Sequence, residues 1–224
     1  MMSDFFRSTI IVFKKDLISE LRTRYALNAL IMFVLVSISI IRFAIGEEKV
    51  ENEILSGLLW IVIFFSASGG LSRTFVKEEE KETSVALKMS VDSSGVFTGK
   101  LLFNFVLTLI LNFLITILFI MITDYEIKNL WGFILVIGIG NIGLVSASTI
   151  IAAIISKANS KGTLYPVLSF PVLIPLLVTV INATKLSASG VETGILYEEF
   201  VILISYSIVV TTVSLMLFKY VWED

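Results

Sequence analysis

The sequence has no cysteine and no histidine among its 224 residues, and only three prolines. Without cysteine there is no disulfide, no thiolate metal site and no thiol nucleophile. Without histidine the chain lacks the most common general base and the most common metal ligand. A G-x-x-x-x-G-K-[ST] loop is also absent, which excludes ATP hydrolysis by a P-loop within this chain.

Charged residues are scarce as well. They make up 16% of the chain, against about a quarter in soluble domains, whereas 56% of the residues are apolar. The net charge of −2 is too small to indicate a nucleic-acid partner. The composition therefore predicts a single integral membrane domain over 1–224, embedded in a lipid bilayer.

Six apolar runs approach the length of ~20 residues that a helix needs to cross the hydrocarbon core. They cover about 25–45, 54–76, 101–123, 130–155, 164–183 and 200–221. Backbone groups in lipid must be hydrogen-bonded within the spanning segment, and these runs lack the alternation of barrel strands. The predicted fold class is thus an all-α integral membrane protein with six transmembrane helices.

The basic residues predict the orientation of these helices. Thirteen of the seventeen Lys and Arg residues lie on the side that holds both termini and the second and fourth connections. The opposite side holds Arg42, Lys49, Lys128 and Lys185. Because short cytoplasmic loops are enriched in Lys and Arg, we expect both termini in the cytoplasm.

The first 24 residues have the pattern of a short amphipathic helix. Apolar residues recur there at helical spacing, namely Phe6, Ile10, Phe13, Leu17 and Leu21. Lys15 and Arg22 fall on the other side of such a helix. The pattern predicts an elbow helix in the inner headgroup layer, with its cations toward anionic lipid. The alternative is a basic flank that only determines topology.

The longest polar interruption is 73–100, which reads RTFVKEEEKETSVALKMSVDSSGVFTGK. The orientation places it in the cytoplasm. Within 77–100 we expect a short helix along the membrane, because acidic residues favour a helix N-terminus. A nucleotide-hydrolysing partner could push on that helix. The alternative is a solvated loop that merely separates two spans.

A polar stripe follows the third run, at positions four residues apart. Its members are Asn104, Thr108, Asn112 and Thr116. Polar side chains in hydrocarbon need partners, so the stripe is predicted to face other helices or a wet cleft. The sequence leaves two roles for the stripe: hydrogen bonding between helices, or lining of a cleft.

The fifth run contains all three prolines, and Pro171 and Pro175 lie in its interior. Each removes a backbone N–H and crowds the carbonyl four residues back, which kinks a helix. These kinks are either fixed packing features or hinges, and we treat Pro171 and Pro175 as candidate hinge residues.

The central parts of all six runs contain no ionisable residue. Such residues mark proton and ion pathways, so their absence argues against a proton-coupled carrier or an ion-selective pore. An intramembrane protease would need paired aspartates, a Ser–His pair or metal ligands. We therefore expect no enzymatic activity in this chain. A permease subunit driven by a separate ATPase fits these constraints, and so does a passive assembly factor.

Four stretches of the chain occur in an order and spacing that match a known pattern. The first is FKKDL at 13–17, followed by Glu20, Arg22 and Arg24, and the second is LWI at 59–61, followed by Phe64, Arg73, Phe75 and Glu78. The third comprises Thr83, Leu87, Met89 and Ser90, and the fourth is LSFPVLIPLL at 168–177. In this order and spacing they resemble the CcmB family, the permease subunit of the cytochrome c maturation (haem exporter) ABC transporter.

The resemblance implies an ABC-2-type exporter-like half transporter in the bacterial inner (plasma) membrane. It implies a CcmA-type ATPase as partner, with two copies of each subunit, beside a CcmC-type haem-handling protein and the haem chaperone CcmE. ATP and magnesium would be bound by the ATPase and haem by the other partners, so no cofactor is expected in this chain.

The implied activity couples ATP hydrolysis to haem export, or to release of haem-loaded CcmE from CcmC. The absence of His and Cys favours release, because the usual haem ligands are missing. The segment expected to receive the ATPase comprises Glu78, Glu79, Glu82, Thr83, Leu87, Met89 and Ser90. The sequence departs from the family pattern at Glu82, Val85 and Val91, where a Gly, an acidic residue and a Pro are usual.

Two other functions remain as alternatives. One is a permease subunit of another ABC-2-type exporter, for lipid, polysaccharide or drug. The other is a non-transporting membrane scaffold with no ATPase partner.

Overall fold

The computed structural model describes residues 2–47, 50–80, 83–157 and 161–223, and it forms helices and short turns without a strand in these ranges. The helices are α1 (Met2–Thr23), α2 (Tyr25–Ile45), α3 (Asn52–Leu71), α4 (Val76–Glu80), α5 (Ser84–Ser90), α6 (Ser93–Thr123), α7 (Leu130–Ser156), α8 (Lys161–Ala188) and α9 (Tyr197–Glu223). Six of the described helical segments are long and apolar enough to cross a membrane, in agreement with the six predicted spans.

The segment predicted as a loop over 77–100 is mostly helical. It contains the end of α4, all of α5 and the first two turns of α6. Helix α6 begins at Ser93, eight residues before the apolar run. The reason is tertiary packing, because Val96 and Phe97 in these turns are fully buried.

Helix α7 lies at the centre of the bundle. In its membrane window 72% of the residues are buried, against 17% for α2 and for α9. Small residues allow this position: a Cβ atom at Gly140 would come within 2.7 Å of the Trp60 ring of α3. Trp60 in turn donates a hydrogen bond of 2.8 Å from Nε1 to Thr184 Oγ1 of α8, which joins α3, α7 and α8.

A second apolar cluster lies on one side of the bundle, near the end of α3, the start of α6 and the end of α9. It contains the rings of Phe75, Phe97, Phe218 and Trp222. Phe218 and Trp222 are stacked with centroids 5.5 Å apart, and Phe97 lies 4.9 Å from Phe218. We call this second apolar cluster, whose buried residues also include Val96, Ile150 and Ala152, the aromatic cluster.

Helix α8 continues through Pro171 and Pro175 without a break. Between the two prolines, the carbonyl of Val172 accepts a hydrogen bond of 2.8 Å from the Tyr206 hydroxyl of α9. This bond links α9 to α8 within the stretch that contains both prolines. The hinge role of Pro171 and Pro175 stays a prediction.

Candidate functional site

Helix α1 lies directly against the first turns of α6, and glycines make this approach feasible. A Cβ atom at Gly99 would lie 2.8 Å from the backbone oxygen of Thr9 and 2.7 Å from Cβ of Val12. A Cβ atom at Gly95 would lie 2.9 Å from Cβ of Ser8. Any larger residue would displace α1. The close approach brings the charged residues of α1 against the base of α6.

Lys100 of α6 is the centre of a group of charges buried at this contact. Its side chain is 1% exposed, and its ammonium lies 2.8 Å from Glu78 Oε1 and 3.1 Å from Asp16 Oδ2. The ammonium also donates to the carbonyl of Thr74 over 2.8 Å and lies 4.9 Å from the centroid of Phe75. Lys100 therefore joins α1, α4 and the end of α3.

Two more ion pairs extend this group. Lys15 of α1 lies 2.7 Å from Glu78 Oε1, and Lys77 of α4 lies 2.6 Å from Glu20 Oε2. Burial alone would lower the pKa of Lys15, but the carboxylates of Asp16 and Glu78 outweigh burial and raise it. Asp16 and Glu78 thus pair with the Lys15 ammonium, and the contact of Lys15 with anionic lipid headgroups stays a prediction.

We call the six charged residues of this group the ionic junction. They are Lys15, Asp16, Glu20, Lys77, Glu78 and Lys100.

Helices α4 and α5, over 76–90, also contact the far side of the bundle. Glu79 pairs with Lys157 at the end of α7 over 3.3 Å. The ammonium of Lys88 lies 5.6 Å from the Trp222 ring, and Leu87 packs against the aromatic cluster. The 76–90 segment is therefore tied to α1, α6, α7 and α9 by side chains. A displacement of this segment would act on four helices at once.

The residues predicted to receive the ATPase lie in different environments. Glu78 is buried in the ionic junction, and Leu87 is half-buried on the aromatic cluster. Thr83, Met89 and Ser90 are exposed, with Met89 85% exposed. Val85, four residues before Met89 and so on the same face of α5, is 61% exposed. Glu82 lies outside the described residues.

A cavity of about 730 Å³ lies between the ionic junction and the start of the spans. Its wall includes residues of each helix from α1 to α6. Four predicted ATPase-receiving residues line it, namely Glu78, Thr83, Leu87 and Ser90. Asn104, one of the candidate cleft-lining residues, also belongs to its wall.

The polar stripe of α6 lies against α7. Asn104 Nδ2 donates to Thr149 Oγ1 over 2.9 Å, and Asn112 Nδ2 donates to Asn141 Oδ1 over 2.9 Å. Thr108 is bonded to the backbone carbonyl of Asn104 over 2.7 Å. Within the described residues, the Thr116 hydroxyl is buried with no hydrogen-bond partner. Hydrogen bonding between helices thus occurs at two stripe positions, and the wider cleft-lining role stays a prediction.

The Asn112–Asn141 pair allows a direct test of these two roles. In a double-mutant cycle with alanine at both positions, we expect a coupling free energy of about 1 kcal/mol, since polar pairs between membrane helices have this strength. The measurement is unfolding of the full chain in mixed micelles. Asn104 and Asn112, which lie two turns apart, provide a control pair with coupling below about 0.5 kcal/mol. Equal coupling in both pairs would contradict the direct bond and favour a water-filled cleft.

The sequence reasoning missed the ionic junction. Lys77 and Lys100 were only counted as basic residues of the second connection, and Lys15 was taken as a cation of the amphipathic helix, although two signals were present. Gly95 and Gly99 form a small pair four residues apart directly before Lys100. Asp16 and Glu20 are also four residues apart, so they share one face of α1.

The comparisons with known proteins agree with this architecture. A family model described as CcmB protein matches residues 7–220 and so covers nearly the whole chain. A search of curated protein sequences finds no match. The family match and the six apolar helices place the chain in cytochrome c-type biogenesis and haem transport. The chain is a multi-pass membrane protein that belongs to the CcmB family.

Proposed function

We propose that this chain is the permease subunit of a cytochrome c maturation ABC transporter, driven by a separate CcmA-type ATPase. The observation that carries the proposal is the position of 76–90. Its described residues form the short helices α4 and α5, which side chains link to α1, α6, α7 and α9. A subunit that receives force from an ATPase needs such a segment.

In the proposed mechanism the ATPase binds the exposed face of α5, where Val85 and Met89 form an apolar ridge. Nucleotide-driven movement then passes to α9 through Leu87 and Lys88. It passes to α6 through the Glu78–Lys100 pair and to α7 through the Glu79–Lys157 pair. Because Lys100 is buried, its pair with Glu78 is shielded from water and keeps α4 and α6 moving together.

The remaining parts of the proposal concern orientation and partners. Both termini lie in the cytoplasm of a bacterial cell, in the inner membrane, and α1 lies in the headgroup layer. Phe6, Ile10 and Leu21 are more than half exposed, which supports contact of this face with lipid. Two copies of the chain assemble with the ATPase, a CcmC-type protein and the haem chaperone CcmE. ATP with magnesium and haem bind to these partners, and this chain itself has no catalytic role.

Changing the apolar ridge should weaken binding of the ATPase. We expect the double variant Val85→Asp/Met89→Asp to reduce co-purification of the ATPase roughly tenfold, because exposed apolar anchors dominate such interfaces. Leu87 is left unchanged, since it packs inside the chain and its loss would disturb the fold. The measurement is the ratio of ATPase to permease after purification in mild detergent.

The matched control for this experiment is Val85→Ile/Met89→Leu, which keeps both side chains apolar and should retain the ATPase. If the Asp variant retains it equally, α5 is not the binding site. A chain that acts only as a scaffold would show no ATPase in any preparation. If an ATPase is bound but loss of the chain leaves cytochrome c maturation intact, another ABC-2-type exporter is the better description.

A further inference from the structure

We propose that the cavity beside the ionic junction binds one anionic phospholipid of the surrounding leaflet. Such binding would need no ATPase and is therefore independent of the proposed function. The wall of the cavity has two chemically different ends. One end is formed by charged side chains and the other by apolar residues of α2, α3 and α6.

Counted with the adjacent Lys100, the charged end has four cations and three carboxylates. Lys15, Lys77 and Arg73 line it together with Asp16, Glu20 and Glu78. The lysines are paired, because Lys77 binds Glu20 while Lys15 and the adjacent Lys100 bind Asp16 and Glu78. Arg73 is exposed and has no ion-pair partner among the described residues. Its guanidinium, whose planar fork suits phosphate oxygens, is thus available for an anionic headgroup.

The apolar end of the cavity is formed in part by exposed side chains. Phe33 of α2 and Phe65 of α3 are 44% and 52% exposed, although both line the cavity. Gly69 lies between Phe65 and Arg73, and a Cβ atom there would meet only the flexible end of Leu30, at 3.4 Å. An acyl chain can therefore enter along α2 and α3 while its headgroup remains at Arg73.

Haem is another anionic amphiphile that a cavity with one charged end and one apolar end could accept. Among the residues that the structure describes, the cavity wall contains no His, Cys, Met or Tyr, which are the usual side-chain ligands of haem iron. A phospholipid needs no such ligand. The chemistry of the wall therefore favours a lipid, and haem becomes an outcome of the test.

The test uses the full chain in nanodiscs with phosphatidylglycerol that carries a photoactivatable group on its acyl chain. Labelled residues are mapped by peptide mass spectrometry, with phosphatidylcholine of the same chain as the zwitterionic probe. We expect phosphatidylglycerol to label the α2 and α3 peptides around Phe33 and Phe65 about fivefold more than phosphatidylcholine, the contribution of one Arg near an anionic headgroup. Arg73→Gln should abolish this preference.

Two matched controls make the result specific. Arg22→Gln removes an exposed cation of α1 outside the cavity and should leave the preference intact. Gly69→Leu should lower labelling by filling the cavity, whereas Gly57→Leu on the same helix should not, because a Cβ atom there meets nothing within 4 Å. Equal labelling by both lipids, or an equal effect of Arg73→Gln and Arg22→Gln, would overturn the site. Displacement of phosphatidylglycerol by equimolar haemin would assign the cavity to a porphyrin instead.

Discussion

Replacing Lys100 by methionine is expected to lower the free energy of unfolding by about 3 kcal/mol. The two side chains are similar in size, so the change removes a charge and leaves little cavity. Without the ammonium, Glu78 and Asp16 lose their shared cation at sites with side-chain exposures of 8% and 12%. Unpaired charges at buried sites are costly, although Lys15 remains close to both carboxylates and limits the loss.

The measurement is equilibrium unfolding of the full chain in mixed micelles. Lys14→Met provides the matched control, because Lys14 is exposed on the same helix as Lys15 and should change stability by less than about 0.5 kcal/mol. The double variant Lys100→Met/Glu78→Gln should regain part of the loss, since it removes one uncompensated charge. Equal stability of Lys100→Met and Lys14→Met would show that the ionic junction does not hold α1, α4 and α6 together.

The substitution Gly99→Ala should separate α1 from α6. The added methyl group would lie 2.8 Å from a backbone oxygen and 2.7 Å from Cβ of Val12, and neither can yield without movement of α1. Overpacking of this kind costs about 1–3 kcal/mol. We therefore expect the contact to open about 5- to 150-fold more often, since 1.4 kcal/mol corresponds to a factor of ten.

The absence of cysteine makes this opening easy to measure. In a Val12→Cys background the single thiol is buried, and its rate of maleimide labelling reports how often α1 leaves α6. Gly138→Ala is the matched control, because a Cβ atom there meets nothing within 4 Å while the gain in helix propensity is the same. Similar labelling rates in the two variants would mean that the glycine contact does not hold α1 in place.

The membrane architecture could be predicted from the sequence because hydropathy acts locally. Each apolar run carries its own signal, and the described part of the chain has six helices that are long and apolar enough to span a membrane. The helix ends were less predictable. The start of α6 at Ser93 depends on Val96 and Phe97, which are buried by residues distant in sequence, and no local pattern reports this.

The candidate site was predictable only in part. The short helix expected within 77–100 corresponds to α5. Leu87 and Met89, however, were both predicted to receive the ATPase. In the structure Leu87 packs against the aromatic cluster and Met89 is 85% exposed. The ionic junction depends on pairs 22 to 84 residues apart in the chain, such as Glu78 with Lys100 and Asp16 with Lys100. Such pairing follows from tertiary packing and is not encoded in any single segment.

Site-directed cross-linking can show whether α5 receives the ATPase. A single cysteine at Met89→Cys, carrying a short photoactivatable cross-linker, is compared with Met121→Cys, which is 72% exposed near the other end of α6. In membranes that contain the ATPase, we expect a cross-linked permease–ATPase product from position 89, in an amount that changes with nucleotide. We expect none from position 121. Equal products from both positions, or no product from position 89, would contradict this expectation.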